Sequence, residues 1–429
     1  MTAAARSGER TQGTGPPPGT AGALLCGAIV AEKRVELYFE GADGAIGFAT
    51  PDMAAAFRKV VHGWPATEGA GPMGPFAELW GDGARWTLDV LRPDPRQRTY
   101  DPVNAICDLI VELNWSRLRR NVQLMCLHAA GVEMGDALVV FPSGRRAGKS
   151  TLTAELARRG HRVFSDDVLS VDLDGDGVAQ GLATGIAPRL RLPLPPRAST
   201  GFRDWVAADP GPANRQYKYL TDAPVAPCGA SRPLGAIVTL ERVDGDAAPA
   251  FSRMDAGEVL PVLIHQNFGR FVHAGRALAA FEAIARDLPC LKMTYGDFER
   301  AADFLEAHAA GGLLAGAAVA GTGHAAEPVF ARPSEDFDPA RAYRRRSGLR
   351  STEIDGVSFV ADANGVGIFR LETGMLPIWV LLEEPITAEE IAEVLGALFP
   401  NVEGKTVRQD VDGALRQLAK AGLIAAVAP

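Results

Sequence analysis

Phe141 to Asp167, reading FPSGRRAGKSTLTAELARRGHRVFSDD, constrains this 429-residue chain more than any other stretch. A short apolar run, Ala137 to Phe141, predicts a strand leading into a loop that holds Ser143, Gly144, Ala147, Gly148, Lys149, Ser150 and Thr151. A helical pattern follows, with Leu152 and Leu156 facing inward, Arg158 and Arg159 complementing the C-terminal dipole and Gly160 at the C′ position. A second apolar run, Val163-Phe164, carries the chain to Asp166-Asp167. Strand, glycine-rich loop, helix and strand in this order read as an α/β nucleotide-binding unit. In such a unit backbone N–H groups and the helix N-terminus face phosphates, Lys149 neutralises charge, and the Ser150 hydroxyl ligates Mg²⁺. Two acids at a strand end are, by themselves, most simply an N-cap or a turn. At this distance after a phosphate loop they suit Mg²⁺ binding and proton abstraction, which makes Asp166 and Asp167 candidate metal ligands and bases.

Composition bounds the partners. An apolar fraction of 47% is ample for a core, and a length of 429 residues sets a prior of two or three domains. The formal charge of −8 argues against a nucleic-acid footprint. Cys26, Cys107, Cys126, Cys228 and Cys290 form no CxxC pair, and three sit among apolar residues, so buried reduced thiols in a cytoplasmic protein are expected. Residues 1–22, rich in Thr, Gly, Pro and Ala, read as a disordered tail. The apolar run Ala21 to Ala31 is too short to span a membrane, and Pro16-Pro17-Pro18 in a long lead-in argues against a signal peptide. Leu24-Leu25-Cys26 lacks the small residue a lipoprotein site needs, so the run reads as the start of a strand.

Residues 23–100 form a β-rich unit, with strand-like runs at Val35 to Phe39 and Trp86 to Val90 and no sign of chemistry. From Asp101 the period becomes helical, with Val103, Ile106, Cys107, Ile110, Val111 and Leu118 on one buried face. Leu127 to Val132 then reads as a strand one hairpin away from the phosphate loop. It carries His128, whose structural and functional readings weigh about equally. Arg189, Arg191, Arg215 and Lys218 lie in Pro- and Gly-rich loops within reach of phosphates or an acidic peptide, although most such charges are merely solvated. Leu234 to Leu240 is a buried strand with Val259, Leu263, Phe271 and Leu278 in helical patterns around it. The Ala/Gly-rich stretch 308–332 reads as a linker, with a boundary near Glu327.

The last part, 333–429, opens on a hairpin whose Asn364-Gly365 suits a type I′ turn. Thr387 and Glu390 make a capping box, stapled by Ile386 and Ile391. Thr406 and Gln409 repeat the capping pattern before a second amphipathic helix closed by Gly422. A hairpin followed by short helices makes a small winged-helix-like domain.

Residues of about 120 to 305 resemble the HPr serine kinase family, particularly its shorter relatives that act in peptide biosynthesis. The resembling elements run in family order: LHAAGV at 127–132, the phosphate loop, RRGHRVFSDD at 158–167, RPLGAIVTLER at 232–242 and LPCLKMTYGDFERA at 288–301. The resemblance implies a P-loop domain over 101–307 that uses ATP and Mg²⁺, with His128, Asp166 and Asp167 around the γ-phosphate and one Asp as base towards a serine hydroxyl. The family loop reads G-x-S-G-x-G-K-[ST]. Here Arg145-Arg146 stands as a two-residue insertion, or, aligned without a gap, Ser143 replaces the first Gly. The glutamate-bearing second signature of true HPr kinases has no counterpart. Residues of about 350 to 425 resemble the PqqD-like peptide-chaperone domain, or RiPP recognition element, on LETGMLPIWVLLEEPITAEEIAEVL at 371–395 and QDVDGALRQLAKAGLI at 409–424. That resemblance implies that a precursor's leader peptide adds as a strand to the hairpin edge. Together they imply an ATP-dependent serine, or threonine, kinase acting on a ribosomally made peptide, with Lys149, His128, Asp166 and Asp167 as its catalytic set, no membrane or nucleic-acid partner, and room for a homo-oligomer as in HPr kinases. A nucleotide-binding peptide chaperone or regulator without catalysis is the alternative.

Overall fold

The computed structural model describes residues 34–69, 71–144, 146–173, 178–269, 271–313 and 337–427. The tail at 1–22, the run at 21–31, Cys26, most of the linker at 308–332 and the boundary near Glu327 lie outside the described residues. The chain is a mixed α/β structure. Strands fall at Val35–Phe39 and Trp86–Val90, within a six-stranded sheet that ends at Arg96–Tyr100. A helix not foreseen from the sequence, Pro51–Val60, covers this sheet. The Thr50 hydroxyl accepts from Met53 N at 3.3 Å, Pro51 sits in the first turn, and Phe57 packs edge-on against Phe39.

The long helix Pro102–Arg120 is capped by Asp101 and buries Ile106, Leu109 and Leu113 against that sheet. Val111, expected on the buried face, is instead 37% exposed. Its neighbours leave it at the rim of a cleft rather than in the core.

A nine-stranded sheet follows, built around the twelve-residue strand Ser231–Arg242. That strand runs parallel to Ala137–Phe141 and to Cys290–Tyr295. Side chains alternate across it, apart from a register shift between Leu234 and Ala236. Leu138, Val140 and Ile237 face the helices Ala256–Gln266 and Ala274–Asp287, whereas Val139, Phe141, Ala236 and Val238 face Lys149–Arg158 and Phe298–His308. Helices on both faces explain why these strands read as continuous apolar runs. Phe271, expected in a helical pattern, lies between the two helices of the first face.

The sheet has a seam. Met125–Leu127 pairs with Leu169–Leu173, and Ala130–Met134 pairs with Val163–Ser165, so two bent strands lie antiparallel and each breaks at its midpoint. One break is His128-Ala129 and the other is Asp166-Asp167-Val168. His128 is therefore not within a strand, as the sequence suggests, but at the kink where its chain passes from one half of the sheet to the other.

The C-terminal hairpin pairs Val357–Ala361 with Ile368–Leu371, and Arg350–Ile354 adds a third strand. Its turn is longer than Asn364-Gly365 implies. The buried Asp362 carboxylate accepts from Asn364 N, Val366 N and Gly367 N at 2.9, 3.1 and 2.7 Å, and so organises a wider loop. The capping box at Thr387 and Glu390 is present. The next helix, Gly404–Lys420, begins a turn before Thr406, whose N–H already donates to Glu403 O at 2.8 Å. This hairpin joins two cores. Ile354, Phe359 and Ala361 enter the core beneath Ala274–Asp287, while Val360 and Leu371 enter the core of the C-terminal helices.

Candidate functional site

The loop after Phe141 is held by two groups far away in sequence. The buried Ser143 hydroxyl accepts from Leu240 N at 2.8 Å, and the Tyr295 hydroxyl donates to Ala147 O at 2.9 Å. Gly148, at φ 98°, is the N-cap of Lys149–Arg158, and a Cβ there would collide with the Tyr295 hydroxyl. Only glycine meets both demands. Arg146, from the extra pair in the loop, takes φ 69°, a left-handed conformation that a non-glycine residue adopts at a cost. Arg145 lies outside the described residues. Gly144 is exposed, and Ser150 and Thr151 occupy the first turn of the helix, so its free N–H groups open onto the same space as the loop. Beyond them, Arg158 and Arg159 do more than complement the dipole: both pair with the buried Glu155, and Arg159 reaches Glu306 at 2.8 Å.

At the seam the candidate catalytic groups meet. His128 Nε2 lies 2.7 Å from Asp167 Oδ1 and 3.5 Å from Lys149 Nζ. A single ring nitrogen cannot donate and accept at once. The shorter contact assigns its proton to the Asp167 bond and leaves Lys149 a near neighbour, held instead by Ser143 O. The His128 backbone is fixed too, its N–H donating to Gln266 O at 2.8 Å. Burial pushes the Lys149 ammonium down, opposed by the charges of Asp167 and Asp166.

The two acids diverge. Asp166 turns inward, where Oδ2 accepts from Arg189 N at 3.0 Å and Oδ1 is buried with no partner in bonding geometry. Burial, then the Asp167 charge, pushes Asp166 up to about 6, although the nearby Ser150 hydroxyl and Arg189 pull the other way. Asp167 is 53% exposed at its side chain. What burial it has would raise it, but His128, Arg189 and Lys149 together hold it below the ordinary carboxylate value. An orphaned carboxylate oxygen beside a serine hydroxyl fits one edge of a Mg²⁺ shell. Among the described residues no group of three or more His, Cys, Asp and Glu side chains gathers around a metal position.

Arg189 is the site residue that sequence reasoning weighted too lightly. It lies not in a loop but on a short strand, Arg189–Arg191, paired with Tyr217–Tyr219. Its guanidinium stacks 4.6 Å from the Tyr217 ring, contacts Cys107 Sγ and comes within 3.9 Å of Asp167 Oδ2. Arg191 and Lys218 point elsewhere, to Tyr217 Oη and Ala207 O. Nothing in the local sequence separates these cations; strand pairing does. Tyr295 was missed for the same reason, because its partner is 148 residues away. Next to His128 and Asp167 opens a cleft of about 520 Å³, whose far wall includes Val111 and Trp115 from Pro102–Arg120 and Phe268 after Ala256–Gln266. The cysteines are free, Cys126 and Cys290 buried and Cys107 and Cys228 half-buried. Among the described residues no helix is long and apolar enough to cross a membrane.

Two comparisons bear on this arrangement. Residues 367–424 match the family model for coenzyme PQQ synthesis protein D (PqqD), which covers the second hairpin strand and the helices after it. Among solved structures, the Hpr(Ser) kinase/phosphatase from Coxiella burnetii is similar over 42% of this chain and 91% of its own, at 12% identity and a TM-score of 0.23, a likeness too slight to define the fold. No curated protein matches the chain.

Proposed function

We propose that the chain is an ATP-dependent kinase that phosphorylates a serine, or less readily a threonine, of a ribosomally made peptide in the cytoplasm. The reading rests above all on the seam, where Lys149, His128 and Asp167 form one contiguous set of polar contacts at the mouth of the 142–148 loop. In this reading the loop is a P-loop lengthened by Arg145-Arg146. Its amides and the N-terminus of Lys149–Arg158 receive the phosphates of ATP. Lys149 exchanges Ser143 O for a β- or γ-phosphate oxygen. Ser150 and Asp166, with Asp167 alongside, would hold Mg²⁺, which would supply charge neutralisation at the phosphates. Arg189 adds positive charge on the same side.

The acceptor hydroxyl approaches from the cleft side, where Asp167 is exposed. A bond forms between its Oγ and the γ-phosphorus as the bridging bond to ADP breaks, and the hydroxyl proton passes to Asp167. A carboxylate held below its usual pKa is a weak base, which suffices where proton transfer follows a loose transition state. His128, donating to Asp167, fixes which oxygen faces the acceptor.

The C-terminal residues 367–424 supply the recruiting part. PqqD-like domains capture leader peptides, and a winged-helix-like unit whose sheet ends on Ile368–Leu371 offers an edge strand for such a peptide to pair with. Tethering raises the local concentration of the core peptide to the order of millimolar. Lys149→Ala is expected to abolish ³²P transfer from ATP to the precursor peptide while leaving leader binding intact; full transfer by that variant overturns the proposal. Leader and nucleotide binding without transfer by the unmodified chain would instead favour a chaperone or regulator.

A further inference from the structure

We infer that the cleft beyond His128 and Asp167 is the acceptor subsite, and that it takes an aromatic or large apolar side chain adjacent to the reacting serine. The inference rests on the kinase reading for its orientation. In a loop of this kind the lysine reaches the β- and γ-phosphates, so the γ end lies where Lys149 Nζ meets His128, 3.5 Å away. The cleft starts there. Gly144, His128 and Asp167 are part of its lining, whereas Ser150 and Thr151, at the end that would hold the inner phosphates, are not. In-line transfer requires the acceptor oxygen on this far side of the γ-phosphorus.

The walls then say what the acceptor carries. Trp115 stands edge-on to Phe268 and Phe271, with ring centroids 6.0 and 5.6 Å apart, and Val111 adds an exposed apolar face. Val111 lies at the rim of the site on a half-buried side of its helix, beside Cys107, Asp108 and Trp115, and a peptide side chain laid across it would cover the exposed valine. A volume of about 520 Å³ suits a short extended segment rather than the surface of a folded protein. A serine hydroxyl placed at Asp167 therefore puts the next side chain against Trp115, Phe268 and Val111.

The test uses the full chain and three blocked dipeptides, N-acetyl-Ser-Phe-amide, N-acetyl-Ser-Ala-amide and N-acetyl-Ser-Lys-amide. Ligand-observed NMR reads their affinity, and ³²P transfer from ATP in the presence of Mg²⁺ reads chemistry. Ser-Phe is expected to bind about tenfold more tightly than Ser-Ala, the factor that burial of an aromatic ring implies. Trp115→Ala should erase that difference. Val111→Glu, at an exposed helix position that tolerates exchange, should move the preference to Ser-Lys. Equal affinities, or a Ser-Phe preference that survives both variants, overturn the inference. A preference that responds to both variants without transfer to any peptide leaves the binding subsite standing and removes the kinase reading beneath it.

Discussion

Asp166 is half-buried with one carboxylate oxygen buried and unpartnered, while Asp167, the next residue, is more exposed and bonded to His128. Both read as candidate acids from their distance to the loop, but their different surroundings were not legible there. Which acid turns inward depends on Arg189 N, supplied by a strand more than twenty residues on. Asp166 titrates near 6 in the folded chain against an ordinary 3.8. Its ionised form is thus disfavoured by folding, a penalty fully present above pH 6 and absent below about pH 4. Asp166→Asn, free of nucleotide and Mg²⁺, should therefore be more stable than the parent at pH 8, by about 1–2 kcal/mol after allowance for solvent. The difference should vanish as the pH falls to 4, and thermal denaturation across that range checks it. Arg146 also costs stability, in its case through its backbone. Arg146→Gly should stabilise the chain by about 1 kcal/mol in urea unfolding.

At the scale of elements, the patterns that depend on near neighbours were readable and those that depend on pairing were not. A continuous apolar run marked the buried strand around Leu234 to Leu240, and the capping box at Thr387 and Glu390 marked a helix start. The seam was not readable, because a strand that breaks at His128 has the same local composition as one that continues. The turn at Asp362 was misread for a similar reason: Asn364-Gly365 is a good two-residue turn, and a buried carboxylate accepting three N–H groups outweighs it. The loop shows what such long-range bonds do. Ser143→Ala leaves Leu240 N without its partner inside the sheet, and should cost about 1–3 kcal/mol in chemical denaturation. It should also raise KM for ATP more than it lowers kcat, since the loop loses position and not a reacting group.

In the whole molecule, the C-terminal hairpin is shared between two cores, and one helix spans the distance from it to the seam. Asp355 Oδ2 accepts from Gly257 N at 2.8 Å at the start of Ala256–Gln266, and Gln266 O at its end accepts from His128 N. The part that would hold a leader is thereby joined to the part that would do chemistry. Phe359→Ala removes a ring from this junction and should destabilise the chain by about 3–5 kcal/mol, lowering both halves in a single calorimetric transition. Two separate transitions, with only one moved, would show that the halves are independent. The kinase reading requires that phosphate reach a peptide from the seam. Intact-mass analysis of the precursor peptide, after incubation with the chain, ATP and Mg²⁺, measures this directly. One added phosphate is predicted with the unmodified chain and none with Asp167→Asn, at equal leader affinity. An unmodified peptide in both cases, or full phosphorylation by Asp167→Asn, would contradict it.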